Sequence, residues 1–223
     1  MADQHRFVDV SHAVEHGMIT YRGLPGPVIS DYLTREASEA RYAPGVGFHI
    51  SRIDMVANTG TYIDSPFHRY AAGVDLAGLE LDSVAAVPGV VVRAAARDDR
   101  AIGRDAFGSA AVAGRAVLVE TGWDAHWNSD EYYEGYPFLT ADAASYLVDA
   151  GAKVVGIDSL NIDDDQDGQR PVHSALLEAG IPVVEHLCNL AELPDTGFAF
   201  FAVPVAVKGM GSFPVRAFAL LDQ

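Results

Sequence analysis

The segment from Asn58 to His68 reads Asn-Thr-Gly-Thr-Tyr-Ile-Asp-Ser-Pro-Phe-His. Gly60 and Pro66 favour a turn-like loop and place Asp64 and His68 four residues apart. A carboxylate and an imidazole at that spacing on a constrained loop can share a metal ion or a proton. They also fit a plainer role, with Asp64 capping a turn and His68 at the surface. A second group lies further on. His173 falls in the first turn of a helix opened by Pro171, and Glu185 follows twelve residues later, at the end of an apolar run. A helix and a turn can bring both back to one rim of a sheet. A glutamate closing Ile-Pro-Val-Val is costly to bury unless it is paired or bound to a cation. His186 is predicted to face away from Glu185 if the strand continues. His49 offers another ring nitrogen, or a core or surface role.

Other motifs weigh less. Asp163-x-Asp165-x-Asp167-Gly168 opens like a calcium loop, but Ser174 stands where such a loop ends in Glu and a strand precedes it. A solvated acidic loop, or a loop covering the site, fits it better. There is no Gly-x-Ser-x-Gly elbow, phosphate loop or dinucleotide fingerprint. Trp123, Trp127, Tyr132, Tyr133, Tyr136 and Phe138 form an aromatic cluster that divides between packing and the wall of an aromatic pocket. Cys188, the single cysteine, reads as a small core residue and fits a reducing compartment.

The elements that must position these groups change character along the chain. The first half predicts short strands and long loops, with strands over residues 7–10 and 48–57 and a loop over 17–27. The second half alternates. Strands are expected over 116–120, 153–157 and 181–187, and closing strands over 198–207 and 215–221. Helices are expected from Thr140 to a stop at Gly151 and from Pro171 to Gly180. Strand–helix–strand units with short connections imply parallel pairing, so the class is α/β with additional strands.

The chain has 223 residues, 49% of them hydrophobic and 21% charged, within the range of one core. A formal charge of −16 disfavours a nucleic-acid partner and an anionic membrane surface. No apolar run is long enough to cross a bilayer, and Met1–Arg6 is polar, so a cytoplasmic location is expected.

Together these segments resemble the cyclase family, which includes bacterial kynurenine formamidases and isatin hydrolases. Its signature is His-x-Gly-Thr-His-x-Asp-x-Pro-x-His. Asp9-Val10-Ser11-His12, residues 17–21, Thr121-Gly122-Trp123, residues 156–159, Val183-Val184-Glu185 and residues 212–216 extend the similarity along nearly the whole chain. The resemblance implies one α/β domain over residues 1–223, of the swivelling β/α/β type, with a mixed, partly barrel-like sheet flanked by helices. It implies one or two zinc or manganese ions, a small-molecule substrate, and a homodimer or homotetramer. In the family, one ion is held by both signature histidines and the aspartate. The second uses that aspartate with a later His and Glu, here matching Asp64, His173 and Glu185. His68 matches a proton-transfer residue. The ion activates a water that attacks an amide or ester carbonyl.

Two signature histidines are replaced, by Asn58 and Tyr62. A carboxamide is a weak zinc ligand and a phenol a poor one. The first ion position is therefore expected to fail, leaving one ion on Asp64, His173 and Glu185. The catalytic set is then His68, His173 and Asp64, with Asn58, Tyr62 and Trp123 binding substrate. The expected reaction is hydrolysis of an amide, lactam or ester of a small aromatic molecule, as in arylformamidases. A metal-free cyclase or dehydratase of natural-product (polyketide) biosynthesis using the same pocket is the alternative. A binding homologue without turnover is the third reading.

Overall fold

A computed structural model describes residues 6–97 and 99–221. Thirteen strands and three α-helices are formed. β1 (Arg6–Asp9), β2 (Val28–Leu33), α1 (Arg35–Glu39), β3 (Ile50–Asp54), β4 (Tyr62–Asp64), β5 (Val87–Arg93) and β6 (Ala101–Ile102) come first. β7 (Ala116–Glu120), β8 (Phe138–Leu139), α2 (Ala141–Asp149), β9 (Val154–Ile157), α3 (Pro171–Glu178), β10 (Val183–Glu185), β11 (Phe198–Phe201), β12 (Ser212–Pro214) and β13 (Phe218–Leu221) follow.

Nine strands make one curled, mixed sheet in the order β1-β13-β11-β5-β7-β9-β10-β4-β12. β5, β7, β9 and β10 are parallel neighbours, as the strand–helix alternation predicts. These strands read as unbroken apolar runs because both faces are covered. Val90, Val92, Val117 and Val119 pack under α2 and α3 with Ala144, Leu147, Val172 and Leu176. Val91, Leu118 and Val184 face the other way and meet Ile63, Leu187, Phe198 and Phe200. The α/β class with a mixed, partly barrel-like sheet is therefore observed.

Several expected boundaries move. The strand expected over residues 48–57 is only β3, and it pairs with β2 in a separate exposed hairpin rather than joining the main sheet. Its exposed near-alternation meets no core. The strand expected over 198–207 stops at Phe201, three residues before Pro204, which has no N–H for a ladder. The strand expected over 215–221 begins at Phe218. Helix α2 has Thr140 at its N-cap position, though the Thr140 hydroxyl turns to Asp142 rather than to the helix amides. Cys188 is buried, as expected of a core residue.

Gly89 marks the tightest contact between two of these strands. A Cβ there would lie 1.9 Å from Cε2 of buried Phe198, on β11. Gly89→Ala is expected to lower unfolding stability by about 1–3 kcal/mol through overpacking, read as a reduced urea midpoint at unchanged m-value.

Candidate active site

The register around β4 assembles the site. Tyr62 lies opposite Glu185 on β10 and Pro214 on β12, and Asp64 lies opposite Val183 and Ser212. Directly paired residues share a face, as do residues two apart in one strand. Tyr62, Asp64, Glu185 and Ser212 therefore project from one face, while Ile63 points into the core. His68 arrives from the turn after Pro66, and Gly211 lets β12 approach it: a Cβ on Gly211 would lie 2.4 Å from the His68 amide nitrogen.

His173 comes from the first turn of α3. That turn is capped from a distance. Asp163 accepts the Val172 and His173 amides at 2.7 and 3.0 Å, and its Oδ2 also meets His173 Nδ1 at 2.6 Å. A carboxylate on Nδ1 fixes the ring and leaves Nε2 free. His173 Nε2 lies 3.6 Å from Asp64 Oδ2 and 3.6 Å from Glu185 Oε1. Burial disfavours the charged imidazole, but Glu185, Asp163 and Asp64 outweigh it and push its pKa up to about 10.

The carboxylates differ in what satisfies them. Glu185 is full: Tyr62 donates its phenol to Oε2 at 2.5 Å, and the Ile162 amide donates to Oε1 at 2.7 Å. Burial raises the Glu185 pKa. Burial, reinforced by the Glu185 and Asp64 charges, also holds the Tyr62 phenol well above its ordinary value. Tyr62 therefore stays a neutral donor and no phenolate ligand. Asp64 accepts the Ser212 hydroxyl on Oδ1, but its buried Oδ2 has no hydrogen-bond partner. Ser212 Oγ is also 2.8 Å from His68 Nδ1. A hydroxyl has one proton. With that proton on Asp64, His68 must donate from Nδ1, which leaves its Nε2 lone pair free.

A cavity of about 250 Å³ opens over these groups, with Asn58, Tyr62, His68, His173 and Glu185 in its lining. The structure thus gathers Asn58, Tyr62, Asp64, His68, His173 and Glu185. Trp123 is not in the lining; its indole donates to the Tyr132 carbonyl at 3.0 Å. His49 pairs with Asp31 on the exposed hairpin instead. The acidic loop is not simply solvated, because Asp163 is fully buried beneath α3. Asp163 and Ser212 are the residues that sequence reasoning missed. Asp163 was visible only as part of an acidic loop, and Ser212 only within the family-like segment 212–216, with no role attached to either.

The donor set suits a cation. Asp64, His68 and His173 each offer a ligand atom within 4.8 Å of the others. Oδ2 of Asp64 has no hydrogen-bond partner, and a divalent ion bound to it and to Nε2 of His173 would displace the proton that the raised pKa keeps on that ring. Glu185 is the expected ligand most committed elsewhere.

A family model described as a putative cyclase matches residues 8–164. The chain belongs to the cyclase family. It is similar to a kynurenine formamidase of Bacillus cereus, 27% identical over 212 residues and 95% of each chain. A solved structure described as a potential metal-dependent hydrolase with cyclase activity superposes with a TM-score of 0.80 at 26% identity, over 98% of this chain and 99% of that one. An isatin hydrolase bound to the product analogue thioisatinate shares the fold at a TM-score of 0.81 and 21% identity, over 99% of this chain and 94% of its own.

Behind Glu185 the strand ends. His186 turns to a φ of +56° and is fully buried, with Nδ1 2.8 Å from the Tyr132 hydroxyl. Burial, helped by His12, lowers its pKa to about 3. A depressed histidine contributes stability above its unfolded value of 6.5, and this is lost as pH falls toward 3. His186→Gln is expected to flatten the decline in unfolding free energy between pH 6.5 and 4, by up to about 1.4 kcal/mol per pH unit. Urea titrations of both proteins across that range would show it.

Proposed function

We propose that this protein is a cyclase-family hydrolase acting on an amide, lactam or ester of a small aromatic molecule. The buried Oδ2 of Asp64, without a hydrogen-bond partner and 3.6 Å from Nε2 of His173, carries this reading. Asp64 and His173 would hold one divalent ion, zinc or manganese, with Glu185 the third ligand if it leaves Tyr62. Such an ion, when bound, lowers the pKa of a water and stabilises the oxyanion formed from the carbonyl.

The chain's own groups supply the rest. Ser212 keeps the Nδ1 proton on His68, so Nε2 faces the cavity as a general base and then returns the proton to the leaving nitrogen or oxygen. Asp163 holds the His173 ring in one tautomer. Asn58 offers amide donors to the substrate carbonyl, and Tyr62 and Tyr21 provide aromatic walls. The kynurenine formamidase relative supports formamides of aromatic amines as the first substrates to try.

Glu185 favours a second reading. Both its oxygens are already satisfied by the chain, so Tyr62, Glu185 and His173 could work as a metal-free acid–base set in a cyclase or dehydratase. The two readings separate on one panel. Formanilides, lactams and aryl esters should be hydrolysed by the metal-loaded protein, and His68→Ala should cut kcat about 10²–10⁴-fold with metal content unchanged. Turnover that survives complete metal removal would transfer the assignment to the metal-free reading.

A homodimer or homotetramer belongs to the same proposal. The β2–β3 hairpin exposes Val28, Tyr32, Ile50 and Ile53, an apolar surface of the kind that marks an interface. Sedimentation velocity should show an oligomer that Tyr32→Glu with Ile53→Glu converts to monomer; an unchanged sedimentation coefficient would rule out the hairpin as the contact. A cytoplasmic location is also proposed. No helix among the described residues is long and apolar enough to cross a membrane.

A further inference from the structure

The lining of the cavity also contains a group of donors. These are Arg170, Asn161 and Tyr21, with Arg69 also in the lining. Arg170 is half-buried and forms no ion pair among the described residues; its Nη1 donates to the neutral Oδ1 of Asn161, at 3.1 Å. Asp163 is near enough to act on Arg170 electrostatically, but both its oxygens are engaged by α3 and His173.

Its neighbours are arranged in the same sense. Asn161 Oδ1 accepts from Arg170 and from the Asp163 amide, which leaves the Asn161 NH2 group to donate elsewhere. The Tyr21 hydroxyl lies beside the guanidinium and interacts with it, and its buried oxygen has no other partner, so its own proton is left to donate. Arg170 itself is held at φ +48° and ψ +57°, a left-handed conformation that a non-glycine residue keeps only when its surroundings enforce it. A planar fork of donors with two further donors beside it matches a carboxylate.

We propose that Arg170, Asn161 and Tyr21 form a carboxylate-binding subsite, so that the substrate carries a free carboxylate in addition to the bond that is cleaved. The inference rests on reading this cavity as the hydrolase active site, and it names the substrate class for that site. The carboxylate binds at the Arg170 wall, which points the other end of the molecule at His68 and His173. Arg170 is then a specificity residue and takes no part in proton transfer.

Calorimetric titration of the metal-loaded protein with benzoate and with benzamide tests this directly. Benzoate should bind at least tenfold more tightly than its uncharged isostere. Arg170→Gln should weaken benzoate roughly tenfold to hundredfold, and Arg170→Lys should restore part of the loss. The kcat/KM ratio for an acyl anilide with a ring carboxylate over its methyl ester should fall in Arg170→Gln by a similar factor. Equal affinity for the two ligands would overturn the proposal. So would benzoate binding that survives Arg170→Gln and disappears with chelator, since the carboxylate would then sit on the cation. Benzoate held through Arg170 in a protein that hydrolyses no amide or ester would leave the subsite standing and refute the hydrolase reading instead.

Discussion

Three buried carboxylates converge on one imidazole, and the rest of the site is arranged around that fact. Asp64, Asp163 and Glu185 are each at most 1% exposed, and all lie within 3.6 Å of a His173 ring nitrogen. Burying so much negative charge is unfavourable unless every oxygen is answered. Helix amides answer Asp163, and Tyr62 and a backbone amide answer Glu185. Only Oδ2 of Asp64 is left open. The His173 imidazolium, 3.6 Å away, is the one positive charge facing it, and a divalent ion bound there would take the place of that proton.

The replacement of two signature histidines acquires a structural meaning in this light. Tyr62 is buried, neutral and bonded to Glu185, so it changes what Glu185 can do rather than standing in for a lost imidazole. A phenol that clamps one carboxylate leaves the Asp64 and His173 pair as the most available donors. Ser212 occupies Nδ1 of His68, which leaves its Nε2 for a proton or, beside Asp64 and His173, for an ion. The donors Arg170 and Asn161 line the same cavity as Glu185 and His173.

Much of this was legible in the sequence, and the remainder fails for identifiable reasons. Asp64 and His68 come from one short segment, Asp64 ending β4 where a turn-like loop was expected and His68 in the turn after it, and Glu185 ends a visible apolar strand, so local pattern finds them. The parallel centre of the sheet also shows, because strands buried on both faces are apolar up to their C-terminal ends. Ser212 and Asp163 reach the site through strand register and a remote helix cap, so the segments that hold them are visible in the sequence but their roles are not. Asp163 is further masked by Asp164, Asp165 and Asp167, which make its segment look like solvated loop. Trp123 was expected against substrate because aromatic clusters serve both packing and binding. Its indole hydrogen bond to Tyr132 commits it to packing.

The most direct test is an anomalous difference map from crystals grown with manganese or zinc, measured above the metal edge. A single strong peak within about 2.0–2.3 Å of Asp64 Oδ2 and His173 Nε2 is predicted, absent in Asp64→Asn crystals. A fully metal-supplemented crystal with no peak at Asp64, or with the peak at residues outside this cavity, would contradict the assignment of the open carboxylate oxygen to a cation.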